Sequence, residues 1–277
     1  MIEKIQRCVN VLLPRSAVRW FKRYLAIGRF SYNRDGLATW ANAEFLQDPH
    51  FAEAYRLAKE TQSFRHDIQW RIFVGCWAAW QVKDLDGDFV ECGVNRGGMS
   101  RAVMHYIGFE NLKKSFYLLD TFCGLVDDQI SEQERRHGIS EFRYSECYEA
   151  VKNTFADFKN IEIVRGAIPE TLCQVTSNSI CYLHIDMNCA APEIAAAEYF
   201  WDKLVPGGIV LLDDYGWPNH IVQKRAFDEF AAQRGARILG LPTGQGMIIK
   251  SHQSLASPAV ALPEKEVAVV AGTGLKS

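Results

Sequence analysis

From residue 88 onward, short strand-like runs alternate with segments of helical periodicity, and this alternation constrains the fold of the 277-residue chain most. The strand-like runs are 88–94, 115–121, 161–165, 180–187 and 208–215. The intervening segments, such as 97–107, repeat apolar residues at the spacing of a helix. Strands that alternate with helices of this length predict βαβ units with right-handed crossovers, and therefore a doubly wound parallel sheet.

The last two strand-like runs depart from this alternation. Residues 237–241 and 246–250 are joined by Pro-Thr-Gly-Gln-Gly, which is typical of a hairpin and too short for a crossover helix. We therefore predict an α/β fold, a mostly parallel sheet that ends in a C-terminal antiparallel hairpin. Such an ending does not occur in the ordinary dinucleotide-binding order of strands.

Two flanking regions complete the predicted organisation. We expect residues 1–87 to form an N-terminal helical extension, residues 88–251 the α/β domain, and residues 252–277 a flexible tail. Segment 65–81 carries apolar residues on two adjacent helix faces, which predicts burial on both sides and favours a homo-oligomer. The first 23 residues are basic, which fits a solvated helix face better than a membrane surface or an anionic partner.

Composition excludes several classes of protein. The 31 basic and 33 acidic residues nearly cancel, so nothing points to a nucleic-acid partner. No apolar run approaches the roughly 20 residues that span a bilayer, so we expect no transmembrane segment. The N-terminus does not resemble a secretory signal, and the eight cysteines have no CxxC spacing. We therefore expect a cytoplasmic protein with free, buried thiols rather than disulfides or a zinc site.

The first chemical motif follows the first strand of the series, where the sequence reads Glu-Cys-Gly-Val-Asn-Arg-Gly-Gly over residues 91–98. Glycines allow a tight turn that brings the backbone close to a ligand, and the next helix offers free N–H groups. Alone, this motif is weak, because any tight turn from strand to helix can use glycine. We expect Glu91 to suit a ligand's ammonium group and Ser100 its carboxylate.

The second motif is Asp120, which ends the next strand. A carboxylate at that position can accept both hydroxyls of a ribose. Asp120 and the glycine loop together predict a nucleoside cofactor. They do not separate a nicotinamide cofactor from S-adenosylmethionine.

The third motif separates the two cofactors. Asp186 follows the fourth strand, and Asp213 and Asp214 follow the fifth. Adjacent strand ends in a parallel sheet lie about 5 Å apart, so three carboxylates should converge and repel one another unless a cation neutralises them. Hard oxygen ligands suit Mg²⁺ or Ca²⁺. Hydride transfer does not need such a site, whereas methyl transfer to a hydroxyl does, because a metal lowers the pKa of the acceptor hydroxyl.

Several stretches resemble the macrocin O-methyltransferase (TylF-like) family, whose members methylate sugar hydroxyls on macrolides, aminocoumarins and related glycosides. These stretches are FVECGVNRGG, FYLLDTFCGL, GAIPETL, HIDMN and LVPGGIVLLDDYG. The resemblance covers roughly residues 40–250. It implies a seven-stranded, Rossmann-like class I methyltransferase sheet and two ligands, S-adenosyl-L-methionine and Mg²⁺ or another divalent cation.

The resemblance also implies roles for particular residues. The metal would be held by Asp186, Asp213 and Asp214. The implied cofactor contacts are Glu91, Cys92, Gly93, Val94, Asn95, Gly98, Ser100, Asp120, Thr121, Gly166, Ala167 and Asp186. Segment 122–147 matches a lid over the substrate, in which Arg135, Arg136 and His137 could meet the acceptor.

The sequence departs from the pattern of some relatives, which place a basic side chain as the general base three residues after the metal aspartate. This chain has Cys189 there. Asp186 and His220 are therefore the candidate catalytic bases. His184 is expected to be a hydrogen-bonded core histidine.

The preferred hypothesis is a metal-dependent O-methyltransferase acting on a sugar hydroxyl of a small molecule or a glycan. Two alternatives stay open: a nicotinamide-dependent nucleotide-sugar oxidoreductase, and a non-catalytic scaffold that binds S-adenosylmethionine. The missing third glycine of the dinucleotide motif argues against the oxidoreductase, and the three aspartates argue against the scaffold.

Overall fold

The computed structural model describes residues 30–251. The basic stretch in the first 23 residues and the predicted tail 252–277 lie outside the described residues. The described part begins with a two-stranded antiparallel hairpin, β1 (Tyr32–Arg34) and β2 (Leu37–Thr39). Two helices follow, α1 (Pro49–Glu60) and α2 (Gln69–Val82). The sequence analysis expected helices here and missed the hairpin.

The α/β domain contains seven further strands and five helices. In chain order these are β3 (Asp88–Cys92), α3 (Gly98–Ile107), β4 (Phe116–Asp120), α4 (Glu132–Arg136), α5 (Tyr148–Phe155), β5 (Ile161–Arg165), β6 (Ile180–Ile185), α6 (Ala190–Trp201), β7 (Leu204–Leu212), α7 (Ile221–Gln233), β8 (Leu239–Gly240) and β9 (Gly246–Ile249). The strands form one sheet of order β5-β4-β3-β6-β7-β9-β8. All pairs are parallel except β7–β9 and β8–β9, so the predicted fold class, including its terminal hairpin, is confirmed.

Each face of the sheet has its own hydrophobic core. Side chains of alternating strand residues, such as Phe89 and Tyr182, pack against α1, α2 and α3 on the α2 face. Their neighbours in the strands, such as Val90 and Leu183, pack against α6 and α7 on the α6 face. Helices α1 and α2 therefore share a core with the sheet.

Helix α2 is less enclosed than the sequence predicted. Its buried side includes Ile72 and Cys76, but Trp77 and Trp80 are 42% and 48% exposed. None of the helices within residues 30–251 is long and apolar enough to cross a membrane.

Candidate functional site

The glycine-rich turn after β3 brings two loops into contact. Gly93, Asn95 and Gly97 all have positive φ, so the chain reverses within a few residues before α3. A Cβ on Gly93 would lie 1.8 Å from the carbonyl oxygen of Asp186. Strands β3 and β6 are neighbours in the sheet, so the turn after β3 and the loop after β6 lie side by side. Only a glycine at position 93 leaves room for the backbone of Asp186.

Asp120 fixes the same turn from the end of β4. Its Oδ2 accepts the backbone N–H groups of Val94 and Asn95 at 2.7 Å each, and its Oδ1 accepts that of Phe122 at 2.6 Å. The Thr121 hydroxyl also lies 3.3 Å from Oδ1, although it donates at a shorter distance, 2.6 Å, to the carbonyl of Gly124. Asp120 also lines the adjoining cavity, and its predicted contact with a ribose stays a prediction.

This cavity lies at the carboxyl ends of β3, β4 and β6, where ligands bind in doubly wound sheets. Seven of the predicted cofactor residues line it: Gly93, Asn95, Asp120, Thr121, Gly166, Ala167 and Asp186. The lid segment also lines it, through residues that include Leu125, Gln129 and Tyr144. Gln129 donates to the carbonyl of Ile168 at 2.5 Å, which ties the lid to the loop after β5.

Five predicted cofactor residues do not line the cavity: Glu91, Cys92, Val94, Gly98 and Ser100. Glu91 is buried and its Oε1 bonds His184 Nδ1 at 3.0 Å, while its Oε2 has no partner. The Ser100 hydroxyl is also buried without a partner. Gly98 donates its N–H to the Ser63 hydroxyl at 2.8 Å.

The three aspartates converge as expected, because β6 and β7 are adjacent and parallel. Asp186, Asp213 and Asp214 each offer a carboxylate oxygen, and these oxygens lie within 4.8 Å of one another. Asp213 and Asp214 are buried, and Asp186 is partly buried. The donor set, three hard oxygens in a confined space, fits a small divalent cation such as Mg²⁺.

Asp213 points to the α2 face and is surrounded by donors. Its Oδ2 accepts from Arg71 at 2.8 Å, its Oδ1 accepts from Gln245 at 3.0 Å, and His184 Nε2 lies 3.6 Å from Oδ1. Burial alone would raise the pKa of Asp213, but the charges of Arg71 and His184 hold it below its ordinary range. Asp213 is therefore ionised across the physiological range.

His184 is the buried histidine that the sequence predicted. Burial alone would lower its pKa, but Asp213 and Glu91 on either side raise it to about 10. Both ring nitrogens face carboxylates, so the protonated ring carries positive charge between them. Nδ1 is hydrogen-bonded to Glu91, whereas the buried Nε2 makes no hydrogen bond among the described residues and has Asp213 Oδ1 as its neighbour, 3.6 Å away.

The pKa values of Asp186 and Asp214 shift upward, in the opposite direction from that of Asp213. Burial raises the pKa of Asp186, and the charges of Asp213 and Asp214 raise it further. Burial also raises the pKa of Asp214, although His220 partly opposes the shift. The buried Oδ2 of Asp214 has no hydrogen-bond partner among the described residues, as expected of an oxygen positioned to bind a cation.

A second polar network reaches Asp214 from the α6 face. His220 Nδ1 lies 3.6 Å from Asp214 Oδ2 and is hydrogen-bonded to the Oε1 of Gln223. Gln223 in turn donates to Glu193 Oε1 at 2.8 Å, and this oxygen also accepts the N–H of Met187 at 2.9 Å. Burial raises the pKa of Glu193 to about 8.

Cys189, three residues after Asp186, lines the cavity. Its side chain is 2% exposed and packs with Ile130 and Ile139 in a small core beneath the lid. Burial raises the pKa of the thiol to about 12, which leaves it protonated and unsuited to accept a proton. Above this core, Glu134 of the lid accepts the N–H of Ala190 at 2.7 Å.

The basic lid residues predicted to meet an acceptor do not line the cavity. Arg135 pairs with Asp127 at 3.0 Å, and Arg136 with Glu132 at 3.4 Å. His137 is exposed.

Two residues of the N-terminal region were not predicted as part of the site: Arg71, which contacts Asp213, and Asp35, which contacts Arg71. The signal was present: Asp35-Gly36 between two short apolar-polar runs is a strong two-residue hairpin motif. Nothing in the sequence indicated that this turn would lie against the carboxyl edge of the sheet.

Comparisons with known proteins agree with this geometry. The family model described as macrocin O-methyltransferase (TylF) matches residues 71–238. No curated protein matches the chain significantly. The solved structure of the O-methyltransferase NovP is 21% identical and has a TM-score of 0.56, with 66% of this chain and 80% of that chain covered.

Two further structures share the fold. The calicheamicin methyltransferase CalS11 is 17% identical with a TM-score of 0.53, covering 73% of this chain and 93% of its own. A protein from Corynebacterium glutamicum is 12% identical with a TM-score of 0.52, covering 77% of this chain and 97% of its own.

Proposed function

The chain belongs to the macrocin O-methyltransferase (TylF) family, and on that premise we propose that it transfers a methyl group from S-adenosylmethionine to a sugar hydroxyl at a divalent-metal site. The observation that carries the proposal is the convergence of Asp186, Asp213 and Asp214 beside a cavity built from the glycine turn and Asp120. A glycine turn with an acidic residue, or a cluster of aspartates, fits several classes of enzyme when found alone. The two lying side by side support a metal-dependent methyltransferase over the other classes.

The cavity supports a nucleoside cofactor. Asp120 stands where it can accept from ribose hydroxyls, and Gly166 and Ala167 line the side expected to hold the adenine. When bound, the cofactor would supply an electrophilic methyl group on its sulfonium sulfur. Transfer of that methyl to an acceptor oxygen would leave the sulfur as the neutral thioether of S-adenosylhomocysteine. We propose that Glu91 and Ser100, which have unpartnered buried oxygens, recognise its amino-acid end.

The three aspartates would hold the metal, which lowers the pKa of an acceptor hydroxyl and orients it. The unpartnered Oδ2 of Asp214 and the raised pKa values of Asp186 and Asp214 support this assignment. Carboxylates this close together repel one another, and a divalent cation would neutralise the charge that Arg71 and His184 leave uncompensated.

We propose His220 as the general base. Its Nδ1–H donates to Gln223 Oε1, an assignment that follows from Gln223 donating its amide to Glu193. This tautomer leaves the lone pair on Nε2 available as a proton acceptor. His220 is 4% exposed and does not itself line the cavity, so the proposal places the acceptor hydroxyl beside Asp214 rather than beside the glycine turn. Asp186, which lines the cavity, is the competing candidate for this role.

The acceptor class rests on the family. We propose a hydroxyl on the sugar of a glycoside or a glycan, bound under the lid segment. The seven described cysteines are all free thiols, which fits a reducing compartment and supports a cytoplasmic location. The exposed Trp77 and Trp80 support self-association.

The proposal is tested by titrating S-adenosylhomocysteine into the purified protein by calorimetry, with Mg²⁺ and with EDTA. Methyl transfer from labelled S-adenosylmethionine to a panel of glycosides then follows. We expect cofactor binding in both conditions and transfer only with metal. Binding of NAD but not of S-adenosylhomocysteine would favour the nucleotide-sugar oxidoreductase. Cofactor binding without any metal binding would favour a non-catalytic scaffold.

A further inference from the structure

We infer that Asp35 and Arg71 are positioning residues for the carboxylate of Asp213, so that the N-terminal hairpin is a working part of the metal site. The inference rests on the proposed metal-binding role of the three aspartates. It adds two residues far from the glycine and aspartate motifs, joined to Asp213 by direct contacts.

The hairpin presents Asp35 at its tip. Asp35 and Gly36 form the two-residue turn between β1 and β2, with φ values of 50° and 71°. Positive φ at both central residues defines a type I′ turn, which asparagine, aspartate and glycine favour. A Cβ on Gly36 would lie 2.9 Å from the Trp217 ring, so the tip of the hairpin packs directly on that ring.

Arg71 is held rigidly between this tip and the sheet edge. Its Nε donates to Asp35 Oδ2 and its Nη2 to Asp35 Oδ1, each at 3.0 Å. Two parallel hydrogen bonds of this kind fix the plane of a guanidinium. The Trp217 ring lies 5.3 Å from the guanidinium carbon, and both partners of the ion pair are largely buried.

The remaining donor of Arg71 reaches the metal site. Nη1 donates to Asp213 Oδ2 at 2.8 Å, while Gln245 donates to the other oxygen at 3.0 Å. A carboxylate held by a donor on each oxygen keeps one rotamer. Partners of this kind orient metal ligands, and their removal typically weakens metal affinity about 10-fold to 100-fold.

A competing interpretation makes the opposite prediction. If Arg71 merely stood in for a cation in the metal-free protein, the metal would displace it, and its removal would strengthen metal binding. The bidentate pair with Asp35 and the contact with Trp217 argue against displacement, because they fix Arg71 independently of Asp213.

The test is calorimetric titration of Mg²⁺ into the full chain, with the electron paramagnetic resonance spectrum of bound Mn²⁺ as a second readout. Asp35→Asn removes the negative charge that pairs with Arg71. Arg71→Lys keeps the positive charge but loses the guanidinium that makes two hydrogen bonds to Asp35. Arg34→Gln is the matched control, because Arg34 belongs to the same hairpin but pairs with Asp67, at 3.6 Å, and not with Arg71 or the three aspartates.

We expect the Mg²⁺ Kd to rise at least about 10-fold in Arg71→Lys and several-fold in Asp35→Asn, with an altered Mn²⁺ spectrum. Arg34→Gln should match the wild type. S-adenosylhomocysteine binding should persist in all variants, and each variant should remain folded at the temperature of the titration even where the broken buried ion pair lowers its melting temperature, which separates positioning from loss of fold. Equal or tighter metal binding in both site variants would overturn the inference. A wild-type protein that binds the cofactor but no metal would overturn the metal assignment and this inference together.

Discussion

Two buried polar networks reach the three aspartates from opposite faces of the sheet, and they differ in charge. On the α2 face, Asp213 meets Arg71 and His184, two cationic side chains. On the α6 face, Asp214 meets His220, which leads through the neutral amide of Gln223 to Glu193.

The difference assigns different roles to neighbouring carboxylates. Arg71 and His184 keep the pKa of Asp213 below its ordinary range, so this carboxylate is a fixed anion. Burial raises the pKa of Asp214, with His220 partly opposing the shift and Asp213 adding to it, so Asp214 gains more than Asp213 from a bound cation. The α2 face surrounds its carboxylate with cationic groups, whereas the α6 face holds two buried acids, Asp214 and Glu193, whose pKa values are raised.

The two histidines give the largest expected contrast. We expect His220→Ala to lower kcat for methyl transfer about 100-fold to 10,000-fold, because it removes the proposed base. Cofactor binding measured by calorimetry should persist. His184→Gln should instead lower the melting temperature, since both of its nitrogens face carboxylates in the core.

A wild-type kcat in His220→Ala would contradict the different roles given to the two histidines and would transfer the role of base to Asp186.

A variant of Gln223 tests the residue that orients the imidazole of His220. Gln223→Leu should reduce kcat less than His220→Ala does, because the imidazole remains.

The two adjacent aspartates provide the next contrast, in stability. In EDTA, we expect Asp213→Ala to lower the free energy of unfolding by about 3 kcal/mol, because it leaves buried cationic groups without a partner. Asp214→Ala should change it by less than about 1 kcal/mol, since the wild-type residue is a buried acid whose ionisation is already unfavourable. Urea unfolding of both variants measures the difference. Equal losses would mean that the two faces do not differ in charge as described.

The pH dependence of stability tests whether Glu193, on the α6 face, is protonated in the folded protein. Its pKa is about 8 in the fold and near its ordinary acidic value when unfolded, so the folded state holds an extra proton between these values. The stability of the wild type should therefore fall relative to Glu193→Gln as pH rises from 5 to 8, and level off above it. The slope cannot exceed about 1.4 kcal/mol per pH unit.

We expect the two proteins to diverge by about 2 kcal/mol between pH 5 and pH 7 in chemical unfolding. Glu198→Gln, an exposed position on the same helix, is the control and should run parallel to the wild type. If stability depended on pH in the same way in Glu193→Gln and in the wild type, Glu193 would be ionised in the folded state. The raised pKa of Glu193 would then no longer distinguish the α6 face from the α2 face.

The sequence predicted the sheet and the convergence of the aspartates because both follow from local patterns. Strand periodicity gives the order of βαβ units, and adjacent parallel strands necessarily bring Asp186 and Asp213 together. Partners that come from distant segments could not be read in this way. The contact between Arg71 and Asp213 depends on how α2 packs across the sheet, and no local pattern encodes that packing.

The same limit explains why Cys189 was hard to interpret. From the sequence, it stood at a position where some relatives carry a base. The structure surrounds it with Ile130 and Ile139, lid residues whose position depends on the docking of Glu134 at the start of α6. A substitution that looks like the loss of a catalytic group is therefore also the gain of an apolar contact.

Cys189→Ala is the smallest of the expected effects and distinguishes these interpretations. Removing one buried sulfur from the lid core should lower the free energy of unfolding by about 1 kcal/mol. Because the thiol has a pKa of about 12 and takes no proton, kcat should stay within a factor of about two of the wild type. If Cys189→Ala instead lowered kcat as much as His220→Ala does, with unchanged stability, Cys189 would be a catalytic group. That result would contradict the role given to His220. Retained activity with the small loss of stability would mean that the lid, rather than the chemistry, accounts for cysteine at this position.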